Sequence, residues 1–313
     1  MSISKGYRRE SVVFQLKKAL RNHWQMYLLF LLPLVHIIVF KYWPIYGIQI
    51  AFKKWNPLLG INGSKWVGFT HFEQFFNSPD ALIYIWNTLR IAVMELVLGF
   101  TIPVFLAIAV NSCPSNGYKK TVQLVTYAPH FISTVIVVSI LEQITDTRIG
   151  IVNVMIMKLG GKPIGFMGNP DWFPWLYTLS GIWHSAGYSS IVYIAALTGI
   201  SPELHEAATV DGASKVQRIW HVDIPGILPT IILMLIVHVG NMLNVGYAKV
   251  YLMQNSMNLS TSEIISTYVY KVGLQNSNYS FSTAINVMNT IVSLVMVTST
   301  NAISKRLSDT SLW

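Results

Sequence analysis

The strongest constraint in this sequence is a set of six apolar stretches, each long enough to cross a lipid bilayer as a helix. A helix rises about 1.5 Å per residue, so about 20 apolar residues cover a hydrocarbon core about 30 Å thick. Stretches at roughly 25–48, 84–111, 121–144, 172–200, 227–252 and 281–303 reach that length. Lipid offers no partner to backbone N–H and C=O groups, so these stretches must be helices that satisfy themselves. The expected fold class is an all-α membrane protein with six transmembrane helices. Composition agrees: 11% of the 313 residues are charged and 52% are hydrophobic, whereas a soluble domain carries about 25% charged residues. No long repeat, low-complexity tract or soluble domain interrupts the pattern.

Charge placement sets an orientation. The formal net charge is +9, and six of the 22 basic residues (Lys5, Arg8, Arg9, Lys17, Lys18 and Arg21) precede the first apolar stretch. Cytoplasmic flanks carry such an excess. Six spans then put both termini in the cytoplasm, with Lys119/Lys120, Lys215/Arg218 and Lys305/Arg306 on the same side. The opposite tracts, near 49–83, 145–171 and 253–280, still hold Lys53, Lys54, Lys65, Arg148, Lys158, Lys162 and Lys271, so the bias is incomplete. Trp43, Trp55, Trp66, Trp172 and Trp175 fall near the outer ends, where amphipathic rings favour the interface. The expected layout is a cytoplasmic segment 1–26, a membrane domain 27–303 and a cytoplasmic tail 304–313. Within the first segment, Val12, Val13, Leu16, Leu20 and Trp24 recur near helical spacing, predicting a helix over 11–24 that lies in the inner interface; an ordinary basic flank is the alternative. No small-x-small cleavage site follows the first span, so it is read as retained rather than as a signal peptide.

The one long cytoplasmic loop, 201–225, carries its own local code. Ser201 is a good N-cap and Pro202 suits the first helical position. Glu203 lies near the positive helix end. Gly212 allows a backbone conformation closed to other residues, and a second short helix ends before Pro225. Small alanines let the first helix approach a partner closely. The result is a helix-turn-helix between two spans, suited to docking.

The same residues carry a family resemblance. Glu206-Ala207-Ala208, Asp211-Gly212-Ala213, Val222-Asp223-Ile224-Pro225 and Pro229 resemble the EAA loop of ABC importer permeases, with Val222 and Ile224 standing where that pattern has Ile and Leu. Phe40–Gly47, Gln49–Lys53, Pro129–Ser133, Ile264–Tyr270 and Ser308–Trp313 look like the LplB/YteP-type permeases of the MalF-like carbohydrate-importer group. That resemblance implies a type I ABC importer permease fold and localisation as a multi-pass protein of the bacterial cytoplasmic membrane. It implies a heterodimer with a second, similar permease, two ABC ATPase subunits and an extracytoplasmic solute-binding lipoprotein. The implied substrates are oligosaccharides, including uronate-containing fragments of plant or algal polysaccharides. It also implies that the loop couples to the ATPase through Glu206, Ala207, Ala208, Asp211, Gly212 and Pro225. No cofactor is implied for this chain, and ATP and Mg are used by the partner ATPases.

Other chemistry is excluded or left open by the residues themselves. His205-Glu206 lacks the second histidine of a zinc-protease helix, and no phosphate-cradling Gly-x4-Gly-Lys-[Ser/Thr] occurs. The single cysteine, Cys113, forms no intrachain disulfide and no metal cluster. Basic residues gathered at span ends do not make the water-facing, aromatic-interleaved patch that nucleic acid requires. A stand-alone secondary transporter would show an internal repeat and coupling carboxylates at the midplane. Charges inside spans are functional candidates because burial in lipid is costly. Arg90, Glu95 and Glu142 are singled out, Arg90 as a substrate contact or a snorkelling cation, and the two glutamates as interhelix hydrogen-bonding groups. His238, Asn241 and Asn244 in span five, and Asn286, Asn289 and Ser293 in span six, repeat at helical spacing. Each stripe either lines a polar sugar path or binds neighbouring helices.

Overall fold

The computed structural model describes residues 12–308 and Ser311. Lys5, Arg8 and Arg9 of the basic cluster, with Asp309, Thr310, Leu312 and Trp313 of the tail, lie outside the described residues. The chain forms two compact units, residues 1–68 and 69–313.

In the first unit, helix α1 (Val12–Ile37) leaves helical geometry at His23, with φ −126° and ψ 25°. That break sets the segment before it apart from the span, in the place of the surface helix expected over 11–24. A π-helical turn at Ile38–Tyr42 and a 3-10 stretch at Trp43–Phe52 continue the span. The apolar length therefore runs over Arg21–Phe52, beyond the expected end at 48. Two short strands follow, β1 (Lys53–Lys54) and β2 (Lys65–Trp66), paired antiparallel with Lys53 opposite Trp66. Phe52 and Trp66 stack with ring centroids 5.6 Å apart.

The second unit opens with a short helix at Thr70–Phe76, followed by α2 (Ala81–Met94), a π-helical turn at Glu95–Gly99 and α3 (Phe100–Asn111), the last three of which together make one span. The turn shortly precedes Pro103, as the turn at Ile38–Tyr42 precedes Pro44 and another at Ile219–Asp223 precedes Pro225. Proline has no N–H and crowds the carbonyl four residues back. One extra residue in the turn absorbs that misfit without breaking the helix.

The third expected span is not one straight helix. Helix α4 (Asn116–Tyr127) passes through a 3-10 turn at Ala128–Phe131, stops, and restarts as α5 (Thr134–Thr145), bent by 105°. Pro129 helps end the first piece, and Ser133 caps the second by accepting the Ile136 N–H at 3.4 Å. Helix α6 (Phe173–Thr198) follows, then α7 (Pro202–Val210), α8 (Ile224–Asn241), α9 (Tyr247–Met253) and α10 (Tyr279–Ser308).

By length and apolarity, four helices among the described residues qualify as spans: Arg21–Phe52, Ala81–Asn111, Lys215–Asn241 and Tyr279–Arg306. The bent pair supplies a fifth. The stretch 172–200, expected as the remaining span, forms the continuous 26-residue helix α6, about 39 Å long, but it is not among the helices apolar enough to qualify. One side of it exposes Trp175, Leu179 and Trp183. Phe173, Tyr177, Thr178, Ser190, Tyr193 and Leu197 are all buried along its length. One core joins Ile91, Val138, Phe173, Tyr177 and Val250. A second joins Ala107, Ile108, Tyr193, Leu197 and Ile227 beneath the 201–225 loop. The connecting segments are tied by buried amides: Asn153 Nδ2 donates to the carbonyls of Thr145, Asp146 and Ile164, and Asn258 Nδ2 to those of Met167 and Met253.

Candidate functional site

Two features gather the polar residues of the second unit: the 201–225 loop and a cavity between α2, α3, α6 and α8. The loop folds as its local code requires. Ser201 Oγ accepts the Glu203 N–H at 3.3 Å, and Pro202 opens α7. The helix closes with Gly212 at φ +77°. The Ala213 N–H then reaches the Ala208 carbonyl at 2.9 Å, and the Gly212 N–H the Thr209 carbonyl at 3.1 Å. Such a left-handed residue past a helix end satisfies carbonyls that would otherwise be orphaned. Ser214 and Gln217 form a reciprocal capping box that starts the next helix.

That second helix does not end before Pro225, as the sequence predicts. It runs through the π-helical turn at Ile219–Asp223 directly into α8. The loop is thus continuous with the following span. It is also cross-tied: Arg218 Nη1 donates to Thr209 Oγ1 at 3.0 Å, and Thr209 Oγ1 to the His205 carbonyl at 2.6 Å. His205 Nε2 lies 3.4 Å from Asp223 Oδ1, which is buried and has no hydrogen-bond partner. Glu206 borders a cleft of about 560 Å³ shared with His205, Lys215, Arg218 and Asp223. Glu206, Ala207, Asp211, Gly212 and Pro225 are exposed and Ala208 is half-buried. Around them, Leu204, Val210, Val216 and Trp220 expose 55%, 88%, 62% and 62% of their surface. Four apolar side chains are thus exposed on an element tied together by its own hydrogen bonds.

The cavity holds about 490 Å³ and is bordered by Glu95, Tyr188, Ser189, His238, Asn241 and Met242, among others. His238 and Asn241 share it as expected from their spacing, and Phe100 meets the His238 ring edge-on at 5.9 Å. Asn241 donates Nδ2 back to the Val237 carbonyl at 3.2 Å. Asn244 does not join them. Helix α8 ends at Asn241, and residues 242–246 form a turn that the sequence pattern did not signal. The three-residue spacing therefore loses its helical meaning at Asn244, which is exposed and off the cavity wall. Asn286 is exposed and Asn289 half-buried on α10; neither borders the cavity. Arg90 is half-buried on α2, also off its wall. Glu142 borders a separate cleft with Asp146 and Met257.

Several residues here escape the sequence reading. His130 stacks on Tyr188 with centroids 3.9 Å apart and planes 5° apart. His184 Nε2 lies 2.9 Å from the Ile132 carbonyl, freed by the break between α4 and α5. Since a carbonyl only accepts, His184 carries its proton on Nε2. Lys249 lies within the expected fifth span, and the cost-of-burial argument that singles out Glu95 applies to it equally.

A bundle of apolar helices around a cavity with a few polar side chains on its wall, with an exposed capped loop continuous with one span, defines a membrane-embedded permease. The chain belongs to the family of binding-protein-dependent transport system inner membrane components, whose pattern matches residues 99–309. It is 39% identical over 293 residues to protein LplB of Bacillus subtilis strain 168, covering 94% of this chain and 92% of that one. It is also 39% identical over 288 residues to the polygalacturonan/rhamnogalacturonan transport system permease protein YteP of the same strain, covering 92% and 90%. A chain of a bacterial alginate ABC transporter, solved in complex with an alginate pentasaccharide-bound periplasmic protein, superposes with a TM-score of 0.87. It shares 36% identity, with 95% of this chain and 100% of that one covered. The family consists of transport permeases, and this chain is not an enzyme.

Proposed function

We propose that this chain is one half of the translocation path of an ATP-driven oligosaccharide importer in the bacterial cytoplasmic membrane. A second permease completes the path, two ATPase subunits power it, and an extracytoplasmic binding protein delivers the sugar. The observation that carries the coupling part is the 201–225 loop. It is rigidly capped at both helices, exposes apolar side chains around Glu206 and Gly212, and continues into the span whose His238 and Asn241 border the cavity. A force applied to α7 by a closing ATPase dimer passes through the Gly212 turn and the Arg218–Thr209 tie into the continuous helix Lys215–Asn241, which reaches the cavity wall. Glu206, Ala207, Ala208, Asp211, Gly212 and Pro225 are the coupling residues, and His238 and Asn241 the sugar-path residues. Layout follows the charge bias: residues 1–26 and 304–313 are cytoplasmic and flank a membrane domain over 27–303.

Oligosaccharide as the substrate class is supported by the relatives and by the wall itself. Asn offers a donor and an acceptor on one short side chain, as neutral His does, and Tyr188 and Ser189 add hydroxyls. A sugar shedding its hydration needs such groups, because an unpaired buried polar atom costs about 1–3 kcal/mol. The test is uptake into proteoliposomes carrying the complete assembly, with binding protein outside and ATP inside. ATP-dependent accumulation of an oligosaccharide is the expected result. Accumulation without ATP, or none of any oligosaccharide supplied, would overturn the reading.

A further inference from the structure

The cavity wall contains a carboxylate that the coupling scheme does not use. Glu95 starts the π-helical turn between α2 and α3 and borders the cavity beside His238 and Asn241. At the same point of α6, Lys249 of α9 donates Nζ to the Tyr177 carbonyl at 2.7 Å and sits 4.4 Å over the Tyr177 ring. Gly181, one turn further along α6, makes room for both groups. A Cβ there would lie 3.2 Å from Lys249 Nζ and 3.6 Å from Glu95 Oε1. The two side chains therefore meet at a single point on α6 without forming a direct ion pair. Their roles differ. Glu95 is on the cavity wall, whereas Lys249 is not and is already occupied by Tyr177. A wall that shows its carboxylate while the matching cation stays off it is the reverse of an anion-binding subsite.

We propose that Glu95 is a specificity-determining residue of this cavity, accepting hydrogen bonds from sugar hydroxyls and turning substrate carboxylates away, and that Lys249, off the cavity wall, is the positioning residue that compensates its charge beside Gly181. The proposal deepens the oligosaccharide-import reading and rests on it. A carboxylate accepts hydroxyl hydrogens through charge-assisted bonds stronger than those of an amide. Two carboxylates brought together in a site of low dielectric repel strongly. A ring at this position is therefore a neutral sugar, an esterified uronate, or a uronate whose carboxylate faces away from this chain.

Two measurements on the assembled importer test it. The first reads the cavity charge without any sugar. Ser189→Cys, on the cavity wall, is introduced into a Cys113→Ser background, and its reaction rates with a cationic and an anionic methanethiosulfonate are compared. The cationic reagent is expected to react about tenfold faster. Glu95→Gln should bring the ratio close to unity and Lys249→Met should raise it. If Glu95→Gln does not assemble, Lys249→Met carries the same test. A ratio insensitive to these changes overturns the proposal. The second measurement compares uptake of trigalacturonate with that of its methyl ester. Glu95→Gln should raise the acid-to-ester ratio by about tenfold relative to the unsubstituted importer, a comparison in which the binding protein's own preference cancels. An unchanged uptake ratio also overturns it. A shifted reagent ratio with neither trisaccharide moved by the unsubstituted importer supports the charge assignment and counts against the oligosaccharide reading instead.

Discussion

Gly212 offers the cleanest test of whether the shape of the 201–225 loop, rather than its mere presence, carries coupling. Its φ of +77° lies in the left-handed region, and a Cβ built there meets nothing within 4 Å. The effect of a small side chain there is therefore a backbone effect and not a clash within this chain. An L-residue forced into that region costs about 1–2 kcal/mol, with Asn paying less because its short polar side chain bonds locally. Relaxing the strain means giving up the Ala213-to-Ala208 and Gly212-to-Thr209 hydrogen bonds, so the cost is also the driving force for loosening the cap. One to two kcal/mol corresponds to a change of about 5–30-fold in the population of the capped loop. We expect Gly212→Val to lower substrate-stimulated ATP hydrolysis of the reconstituted complex by a factor in that range. Gly212→Trp should abolish it, by adding bulk to the same strain on an exposed docking surface. Gly212→Asn should stay close to the unsubstituted level. Full stimulation with Val would refute the reasoning, and so would an Asn variant as poor as Val, because bulk rather than backbone would then be responsible.

Three further outcomes follow from other parts of the structure. His184→Leu removes the donor to the Ile132 carbonyl at the break between α4 and α5 and should lower the thermal stability of the complex by about 1–3 kcal/mol; an unchanged melting temperature would mean that another group satisfies that carbonyl. Asp146 accepts the N–H groups of Ile149 at 2.9 Å and Arg148 at 2.7 Å, and these bonds hold its carboxyl below the usual carboxylate range. A depressed folded pKa means that the turn's stabilisation is complete above the unfolded value and is lost as pH falls through the folded one. Hydrogen exchange at Ile149 and Arg148 should therefore stay slow through the usual carboxylate range and quicken only below it, and quickening within that range would contradict the assignment. Single cysteines in a Cys113→Ser background should react with an impermeant thiol reagent in intact cells at positions 62 and 158 and be protected at 215; labelling of 215 with protection of 158 would invert the orientation.

What the sequence discloses depends on the range of the interaction. Ser201, Pro202, Gly212 and Ser214 act within a few residues of themselves, and each occupies the cap or turn that its chemistry favours. His238 and Asn241 are likewise legible, because one unbroken helix relates them. Asn244 fails by the same logic, since the helix ends three residues earlier and a periodicity says nothing about where it stops. The break between α4 and α5 needs His184 and Tyr188, more than 50 residues away in sequence, to supply a hydrogen bond and a stacking face. Glu95 and Lys249 are visible individually as charges in apolar surroundings. Their relation through Gly181 exists only once three helices have packed.

The central claim, that the 201–225 loop transmits ATPase motion to the cavity, is most directly tested by measuring ATP hydrolysis and uptake together in proteoliposomes bearing Glu206→Lys. Glu206 is exposed and borders the cleft with Lys215 and Arg218, so reversing its charge leaves the core of the fold untouched while altering the docking surface. We expect a complex that assembles with its partners at normal yield, loses the stimulation of hydrolysis by substrate-loaded binding protein, and accumulates no sugar. Full stimulation and full uptake by that variant would contradict the claim.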